Sequence, residues 1–185
     1  MRPPASTPPP GSLPSAAGYR FAVVVSRFNQ SITEALRDGA RAALAEAGVP
    51  AGEIDEMSVP GAFELPQAAR YVAGTGRFDA VIALGCVIRG ATPHFEYIAS
   101  AVAQGIMDAA GQTGVPVAFG VLTTDSQAQA EERAGPGRDN KGWEAAAAAI
   151  EMAVLFRRLG RTPARAAGTP RPLGFEQRTT RGTER

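Results

Sequence analysis

The stretch DAVIALGCVIRGATPHF, residues 79–95, contains the features that decide the fold. Asp79–Leu84 is a short continuous apolar run, typical of a central parallel strand that is buried on both faces. Two glycines and a proline then interrupt regular structure. From His94 to Ala110, apolar residues repeat with a helical period. This order of strand, glycine-rich loop and helix predicts one unit of a parallel α/β sheet.

The same alternation extends in both directions from this stretch. The predicted strands are Tyr19–Ser26, Ile54–Val59, Asp79–Leu84 and Val115–Leu122. The predicted helices are Ser31–Ala47, Phe63–Ala73, His94–Ala110, Ser126–Ala134 and Gly142–Leu159. Strand and helix alternate four times, so we predict a single α/β domain. It would be a three-layer α-β-α sandwich around a four-stranded parallel sheet.

Both ends of the chain differ in composition from this alternating region. Residues 1–17, MRPPASTPPPGSLPSAA, are predicted to form a disordered proline-rich arm. Residues 18–159 are the predicted domain, and residues 160–185 a predicted disordered, arginine-rich tail. The tail could contact an anionic partner, although a solvated extension is the simpler interpretation.

Composition excludes several classes of protein. The formal net charge of +1 gives no reason to expect nucleic acid or a membrane as partner. No apolar run reaches the length of about eighteen residues that a membrane-spanning helix needs. The first eighteen residues lack the apolar stretch of a signal peptide, so we expect a cytoplasmic protein. A single cysteine, Cys86, can form neither an intrachain disulfide nor a cysteine-based zinc site.

In open parallel sheets, ligands bind at the carboxyl ends of the strands, which directs attention to the loops there. Phe28 follows the first strand, and a planar heterocycle stacked on its ring would gain roughly 1 kcal/mol beyond simple burial. The alternative is that Phe28 packs under its own helix. After the second strand, the amides of Ala62, Phe63 and Glu64 lie at a helix N-terminus, where carbonyls or anions can be satisfied. Glu64 could equally be only a first-turn acid that complements the helix dipole.

The loop after the third strand delivers Thr92 and His94 to the start of the next helix. Backbone amides and the Thr92 hydroxyl could form an anion pocket there. The helix dipole should disfavour the imidazolium form of His94, the only histidine, so it could act as a neutral base. A lone histidine is, however, more often structural. Cys86 is expected to fill a small apolar gap.

The fourth strand supplies Phe119, and a helix follows it. Either Thr124 or Asp125 is expected to cap that helix. At its far end, Arg133 could cap the last carbonyls or hold a phosphate in forked hydrogen bonds. No Gly-x-Gly-x-x-Gly follows the first strand, which disfavours a dinucleotide-dependent oxidoreductase.

Taken together, five blocks resemble lumazine synthases from about Tyr19 to Leu159, in the correct order and at fitting spacings. The blocks are Arg27-Phe28-Asn29, SVPGAFELP at 58–66, LGCVIRGATPHFEY at 84–97, PVAFGVLTTD at 116–125, and ERAG with NKGWEAA at 132–135 and 140–146. The resemblance implies a flavodoxin-like fold. It also implies the joining of 5-amino-6-(D-ribitylamino)uracil to 3,4-dihydroxy-2-butanone 4-phosphate, without metal or redox cofactor.

The resemblance also implies which residues bind the two substrates. The ribitylaminouracil site would comprise Phe28, Ala62, Phe63, Glu64, Cys86, Val87, Ile88, Phe119 and Lys141, with Phe28 stacked on the ring. The butanone phosphate site would comprise Ala91, Thr92 and Arg133. His94 would be the catalytic, proton-transferring residue.

Family members assemble as pentamers with each site at a subunit boundary, so Phe119, Arg133 and Lys141 would face a neighbour's Phe28 and His94. Some members stop at pentamers or pairs of pentamers, others form sixty-subunit shells, and riboflavin synthase is a possible partner. The AGPGRDN segment has no insertion and in this is similar to shell-forming members, but it departs from the usual Gly-Thr-Lys pattern, which leaves the assembly state open. A non-catalytic flavin- or lumazine-binding relative, or a shell-forming one, is the alternative interpretation.

Overall fold

A computed structural model describes residues 12–161 of the chain. Residues 1–11 and 162–185, which include most of the predicted arm and tail, lie outside the described residues. The strands are β1 Phe21–Ser26, β2 Ile54–Val59, β3 Ala80–Ile88 and β4 Val117–Thr124. The helices are α1 Gln30–Glu46, α2 Leu65–Gly74, α3 His94–Thr113, α4 Gln127–Arg133 and α5 Lys141–Arg158, with single 3-10 turns at Ala51–Glu53 and Ala62–Glu64.

All four strands are parallel and lie in the order β2-β1-β3-β4. The chain therefore builds outward in one direction from β1 to β2 and in the other from β3 to β4. The loops that leave β1 and β3 diverge at this reversal, and a crevice opens between them at the carboxyl ends of the strands. The predicted parallel α/β architecture is confirmed.

Two apolar cores, one on each face of the sheet, explain the three layers. Along β1 every residue is buried, and successive side chains point to opposite faces. Val23 and Val25 join the core under α1 and α5, while Ala22 and Val24 join the core under α2 and α3. The continuous apolar run is thus a consequence of helices covering both faces.

Strand β3 is longer than predicted. It continues to Ile88, because Ile88 pairs with Thr124 of β4 at the end of an unbroken ladder. Gly85, which the sequence analysis interpreted as the end of the strand, lies inside it. A Cβ at this position would come within 2.8 Å of the Leu65 side chain, so the glycine admits α2 close to the sheet.

Several other predicted element ends differ from the structure by one to three residues, and the predicted cap of α4 is wrong. Helix α4 is capped by the Ser126 hydroxyl, which accepts from the Gln129 N–H at 3.3 Å, and not by Thr124 or Asp125. Helix α1 begins at Gln30 after Asn29, one residue before the predicted start.

The folded region also extends beyond the predicted domain at both ends. Ala16 is fully buried, and its N–H donates to the Ala47 carbonyl at 2.8 Å. Arg161 donates to the Phe78 carbonyl at 3.1 Å. The prediction of a solvated arm and tail is therefore wrong at these two positions. No helix between residues 12 and 161 is long and apolar enough to cross a membrane.

A buried ion pair fastens the last helix to the amino ends of the strands, opposite the crevice. The side chain of Asp79 is 3% exposed and pairs with Arg157 of α5 at 2.7 Å. Its second oxygen accepts from the Arg20 N–H at 2.8 Å. The Arg157 guanidinium also lies over the Tyr19 ring, 3.5 Å from its centroid. The carboxylate is thus fully engaged, as burial of a charge requires.

The backbones of helices α1 and α5 are in contact at Gly142. A Cβ there would overlap the Leu36 carbonyl oxygen, because the two backbones are in direct contact. We expect Gly142→Ala to lower the free energy of unfolding by about 1–3 kcal/mol or more, the range typical of overpacking. Gly111→Ala is the control, since nothing lies within 4 Å of its Cβ position in α3. Urea unfolding at equal subunit concentration measures both; equal stabilities would contradict the close approach.

Candidate active site

A cavity of about 320 Å³ opens at the carboxyl ends of β1 and β3, and we call it the first cavity. Its volume falls in the range of small-molecule sites, roughly 300–1,000 Å³. Many of the predicted site residues line it: Phe28, Ala62, Phe63, Cys86, Val87, Ile88, Thr92 and His94. Glu64 and Ala91, which were also predicted, are not among its lining residues.

The Phe28 ring lies uncovered at this cavity. It is 71% exposed, so the alternative that Phe28 packs under its own helix is wrong. The Phe28 N–H donates to the Pro60 carbonyl at 3.1 Å. Asn29 follows with φ of 58°, a left-handed conformation that asparagine tolerates better than most residues. Its Nδ2 donates to the Cys86 carbonyl at 3.0 Å and ties the β1 loop to β3 across the crevice.

The second wall comes from the 3-10 turn Ala62–Glu64. Ala62 is buried and Phe63 is 59% exposed. One carboxylate oxygen of Glu64 accepts from the Gly61 N–H at 2.9 Å, which closes the turn on itself. The Glu64 side chain therefore has a local structural role, and the cavity meets the turn through Ala62 and Phe63.

The loop after β3 is held by Arg89 at the rim of the cavity. Its Nε pairs with Asp125 at 2.7 Å, its Nη1 pairs with Glu96, and its guanidinium stacks 4.2 Å from the centroid of the Phe95 ring. Hydrogen bonding to Arg89 lowers the pKa of the Glu96 carboxyl. The ends of β3 and β4 and the start of α3 are thus joined around the segment that carries His94.

His94 is the first residue of α3, and its side chain is exposed at the first cavity. Within residues 12–161 its imidazole makes no hydrogen bond. No partner among these residues therefore supports a purely structural role for His94. Thr92 lies two residues earlier and lines the same cavity. The imidazole and the Phe28 ring therefore face one space, as a proton-transfer group beside a stacked ring would require.

The remaining predicted residues line a different space. A second cavity, of about 420 Å³, lies between β4 and the start of α5 and is lined by Phe119, Arg133 and Lys141 among others. One guanidinium nitrogen of Arg133 donates to the Gln129 carbonyl at 3.0 Å, one turn back. Lys141 pairs with Glu144 at 2.6 Å. No lining residue is shared with the first cavity, so one chain presents the predicted site as two separate parts.

The chain matches the model of the 6,7-dimethyl-8-ribityllumazine synthase family over residues 18–157. The chain belongs to this family. It is 55% identical over 144 residues to a 6,7-dimethyl-8-ribityllumazine synthase of Syntrophus aciditrophicus (strain SB), covering 78% of this chain and 94% of that protein. A relative of the same name from Anaeromyxobacter dehalogenans (strain 2CP-C) is 53% identical over 157 residues, covering 85% and 96%. The family predicted from the sequence is confirmed.

Three residues that fix the loops and helix ends around the two cavities were not singled out in the sequence. Asn29 and Arg89 lie within the resembling blocks, but only the folded chain shows that their side chains bridge separate loops. Asn140 is buried and caps α5, accepting from the Gly142 N–H at 2.8 Å. Its signal was present, because asparagine is a preferred residue immediately before a helix.

In the part of the chain that the structure describes, no group of His, Cys, Asp or Glu is placed to hold a metal ion.

Cys86 lines the first cavity, yet the residue is almost fully buried, with 2% of its surface exposed. Burial raises the pKa of its thiol to about 11. We therefore expect the folded protein to react slowly with a disulfide reagent at pH 8, because the thiolate is the reactive species. The same protein in guanidinium chloride should release one thiol equivalent per chain, which serves as the control. Equal rates in both conditions would contradict this environment.

Proposed function

We propose that this chain condenses 5-amino-6-(D-ribitylamino)uracil with 3,4-dihydroxy-2-butanone 4-phosphate to give 6,7-dimethyl-8-ribityllumazine, phosphate and water. This is the penultimate step of riboflavin biosynthesis, and we propose the cytoplasm as its location. The observation that carries the proposal is the first cavity, in which an uncovered aromatic ring and the only histidine face one space. Membership of the family supplies the reaction.

The first cavity fits the pyrimidine substrate. Phe28 would stack on the ring, and the backbone from Ala62 to Glu64 would receive the ribityl chain. The main-chain groups of Cys86, Val87 and Ile88 would meet the polar edge of the ring. The fixed backbone supports this assignment, because Asn29 and the Glu64 carboxylate lock the two neighbouring turns before a ligand arrives.

The sugar phosphate would lie beside the pyrimidine, near Ala91 and Thr92, with Arg133 as its main cationic partner. Arg133, Lys141 and Phe119 line the second cavity, so one chain cannot bring them to the first. We infer that the complete site forms where the first cavity of one subunit meets the second cavity of the next. Phe28, Phe63 and Phe119 are large apolar side chains left exposed in the isolated chain, which favours such an association.

A ring of five subunits is the proposed assembly. A head-to-tail interface can close into a ring by rotation, and the resemblance to pentameric family members gives the number five. A pair of such rings or a sixty-subunit shell is the alternative higher assembly. Riboflavin synthase, which would consume the product, is the proposed protein partner.

In the proposed mechanism, the 5-amino group attacks the ketone and forms an imine with loss of water. Phosphate leaves by elimination, the ribitylamino nitrogen attacks the second carbonyl carbon to close the ring, and the oxygen of that carbonyl leaves as a second water. Much of the acceleration would come from holding the two partners in register. His94 would move protons between the amine, the leaving water and the ring-closing intermediate.

Mixing the two substrates with the purified protein tests the proposal directly. We expect the absorbance and fluorescence of the lumazine product to appear, with phosphate released in equal amount. Bound substrate without product would instead support a binding protein. A sedimentation run on the same sample distinguishes a pentamer from a sixty-subunit shell.

Replacing the proposed catalytic residue should slow turnover without abolishing it. We expect His94→Ala to lower kcat by about 10²-fold, the lower range for general acid–base catalysis, and to leave residual activity from substrate positioning. Gln104→Ala, a change at an exposed position of the same helix, is the control. Wild-type kcat in His94→Ala under saturating substrates would remove His94 from the mechanism.

A site shared between subunits can be tested by complementation. When His94→Ala and Arg133→Ala chains are refolded together in equal amounts, about one quarter of the head-to-tail interfaces should carry both native residues. Activity should then recover to about that fraction of wild type. If each chain held a complete site, the mixture would show only the mean of the two variants, and the shared site would be disproved.

A further inference from the structure

A single buried amide joins three helices beside the second cavity. Asn140 is 3% exposed, and its Nδ2 donates to the carbonyls of Ala134 and Gly135, both at 2.9 Å. It also donates to the Ala35 carbonyl at 3.1 Å. The first two carbonyls belong to the residues immediately after the end of α4, and the third belongs to α1. The amide therefore binds the end of one helix to the middle of another.

The oxygen of the same side chain fixes the start of α5. Its Oδ1 accepts from the Gly142 N–H at 2.8 Å and from the Trp143 N–H at 3.2 Å. These N–H groups have no partner within a helix, so the cap determines where α5 begins. Both polar atoms of the amide are thus in use.

Helix α1 is shaped to receive this amide. Gly39 lies inside α1, where glycine is a poor helix former. A Cβ at Gly39 would overlap the Asn140 Oδ1, so only glycine leaves room for the side chain. The glycine in α1 is therefore accounted for by the space that the buried Asn140 side chain needs.

Asn140 adjoins the two chain segments that carry the cations of the second cavity. Arg133 immediately precedes the first carbonyl that Asn140 binds, and Lys141 is the residue next to Asn140 along the chain. Each cation otherwise makes only exposed contacts within residues 12–161. Neither cation is held by a buried group of its own.

We propose that Asn140 is a positioning residue, which sets the placement of Arg133 and Lys141 and thereby the affinity for the phosphate-bearing substrate. The inference rests on the proposed function, in which Arg133 binds that phosphate. Asn140 touches neither substrate. It acts through the ends of α4 and α5, because loss of its bonds would let these ends move independently.

The variant Asn140→Asp removes the bonds that Nδ2 donates to the three carbonyls and keeps an oxygen that can cap α5. Aspartate keeps an oxygen for the α5 N–H groups, but it places a second acceptor against three carbonyls in place of the Nδ2 donor. We expect the KM for 3,4-dihydroxy-2-butanone 4-phosphate to rise about tenfold or more, since misplacement by about 1 Å can have effects up to 10²-fold. The KM for the ribitylaminouracil should rise by less, because most residues proposed to bind it line the first cavity and only Lys141 among them adjoins Asn140.

A second variant removes the effect of the added charge. Gly39→Ala leaves Asn140 and the net charge unchanged but displaces the amide from the α1 side. It should reproduce the rise in KM for the sugar phosphate and raise the inhibition constant of inorganic phosphate in parallel. Asp79→Asn is the matched control. It disrupts an equally buried polar group at the opposite end of the strands and should lower stability without changing either KM.

The outcomes separate this inference from the proposed function. Selective loss of sugar phosphate affinity in Gly39→Ala, with both KM values unchanged in Asp79→Asn, supports the positioning role even if Asn140→Asp does not fold. If Arg133→Ala raises that KM but Gly39→Ala does not, the inference is wrong and the phosphate site stands. If Arg133→Ala leaves the KM unchanged, the proposed phosphate site fails and this inference fails with it.

Discussion

The parallel pairing of β1 with β3 is the constraint on which the rest of the structure depends. Because the next strands lie on opposite sides of this pair, the loops after β1 and β3 leave in opposite directions and a crevice remains between them. Asn29 spans that crevice by its bond to the Cys86 carbonyl. The Phe28 ring and the loop that carries His94 are thereby held on the two sides of one opening. The location of the first cavity follows from strand order before any side chain is considered.

Much of this fold could be predicted from local pattern. A run such as Phe21–Val25 of β1 is apolar at each position because both faces of the sheet are covered, and short polar loops on either side of the strand set its limits. The end of β3 could not be predicted in this way. Gly85 looks like a break in sequence, yet pairing with β4 continues three residues past it to Ile88. That continuation depends on a partner strand more than thirty residues away, which local periodicity does not contain.

Some residues of the candidate site could be predicted from the sequence, whereas others could not. Residues on loops at the strand ends, such as Phe28 and His94, could be selected because the carboxyl-end rule says where to look. Their roles came from the resemblance, which periodicity alone could not supply. Asn140 was missed, because its importance lies in carbonyls of residues 35, 134 and 135 that no local pattern brings together. Glu64 shows the opposite case, since its side chain closes its own turn and does not line the cavity.

A charged side chain is buried at the amino ends of the strands, whereas the charged side chains of the second cavity are exposed at the carboxyl ends, and this difference is relevant to the proposed function. At the amino ends, the Asp79 carboxylate is buried and satisfied by Arg157 and a backbone N–H, an arrangement that would be strongly destabilised by removing one partner. At the carboxyl ends, the ion pairs that Arg133 and Lys141 form within residues 12–161 are with exposed carboxylates, and such pairs contribute about 0–1 kcal/mol. A phosphate can replace these partners with little loss. In the positioning role proposed for Asn140, buried neutral hydrogen bonds would place these cations while their charge remains available, a combination suited to reversible binding of an anionic substrate.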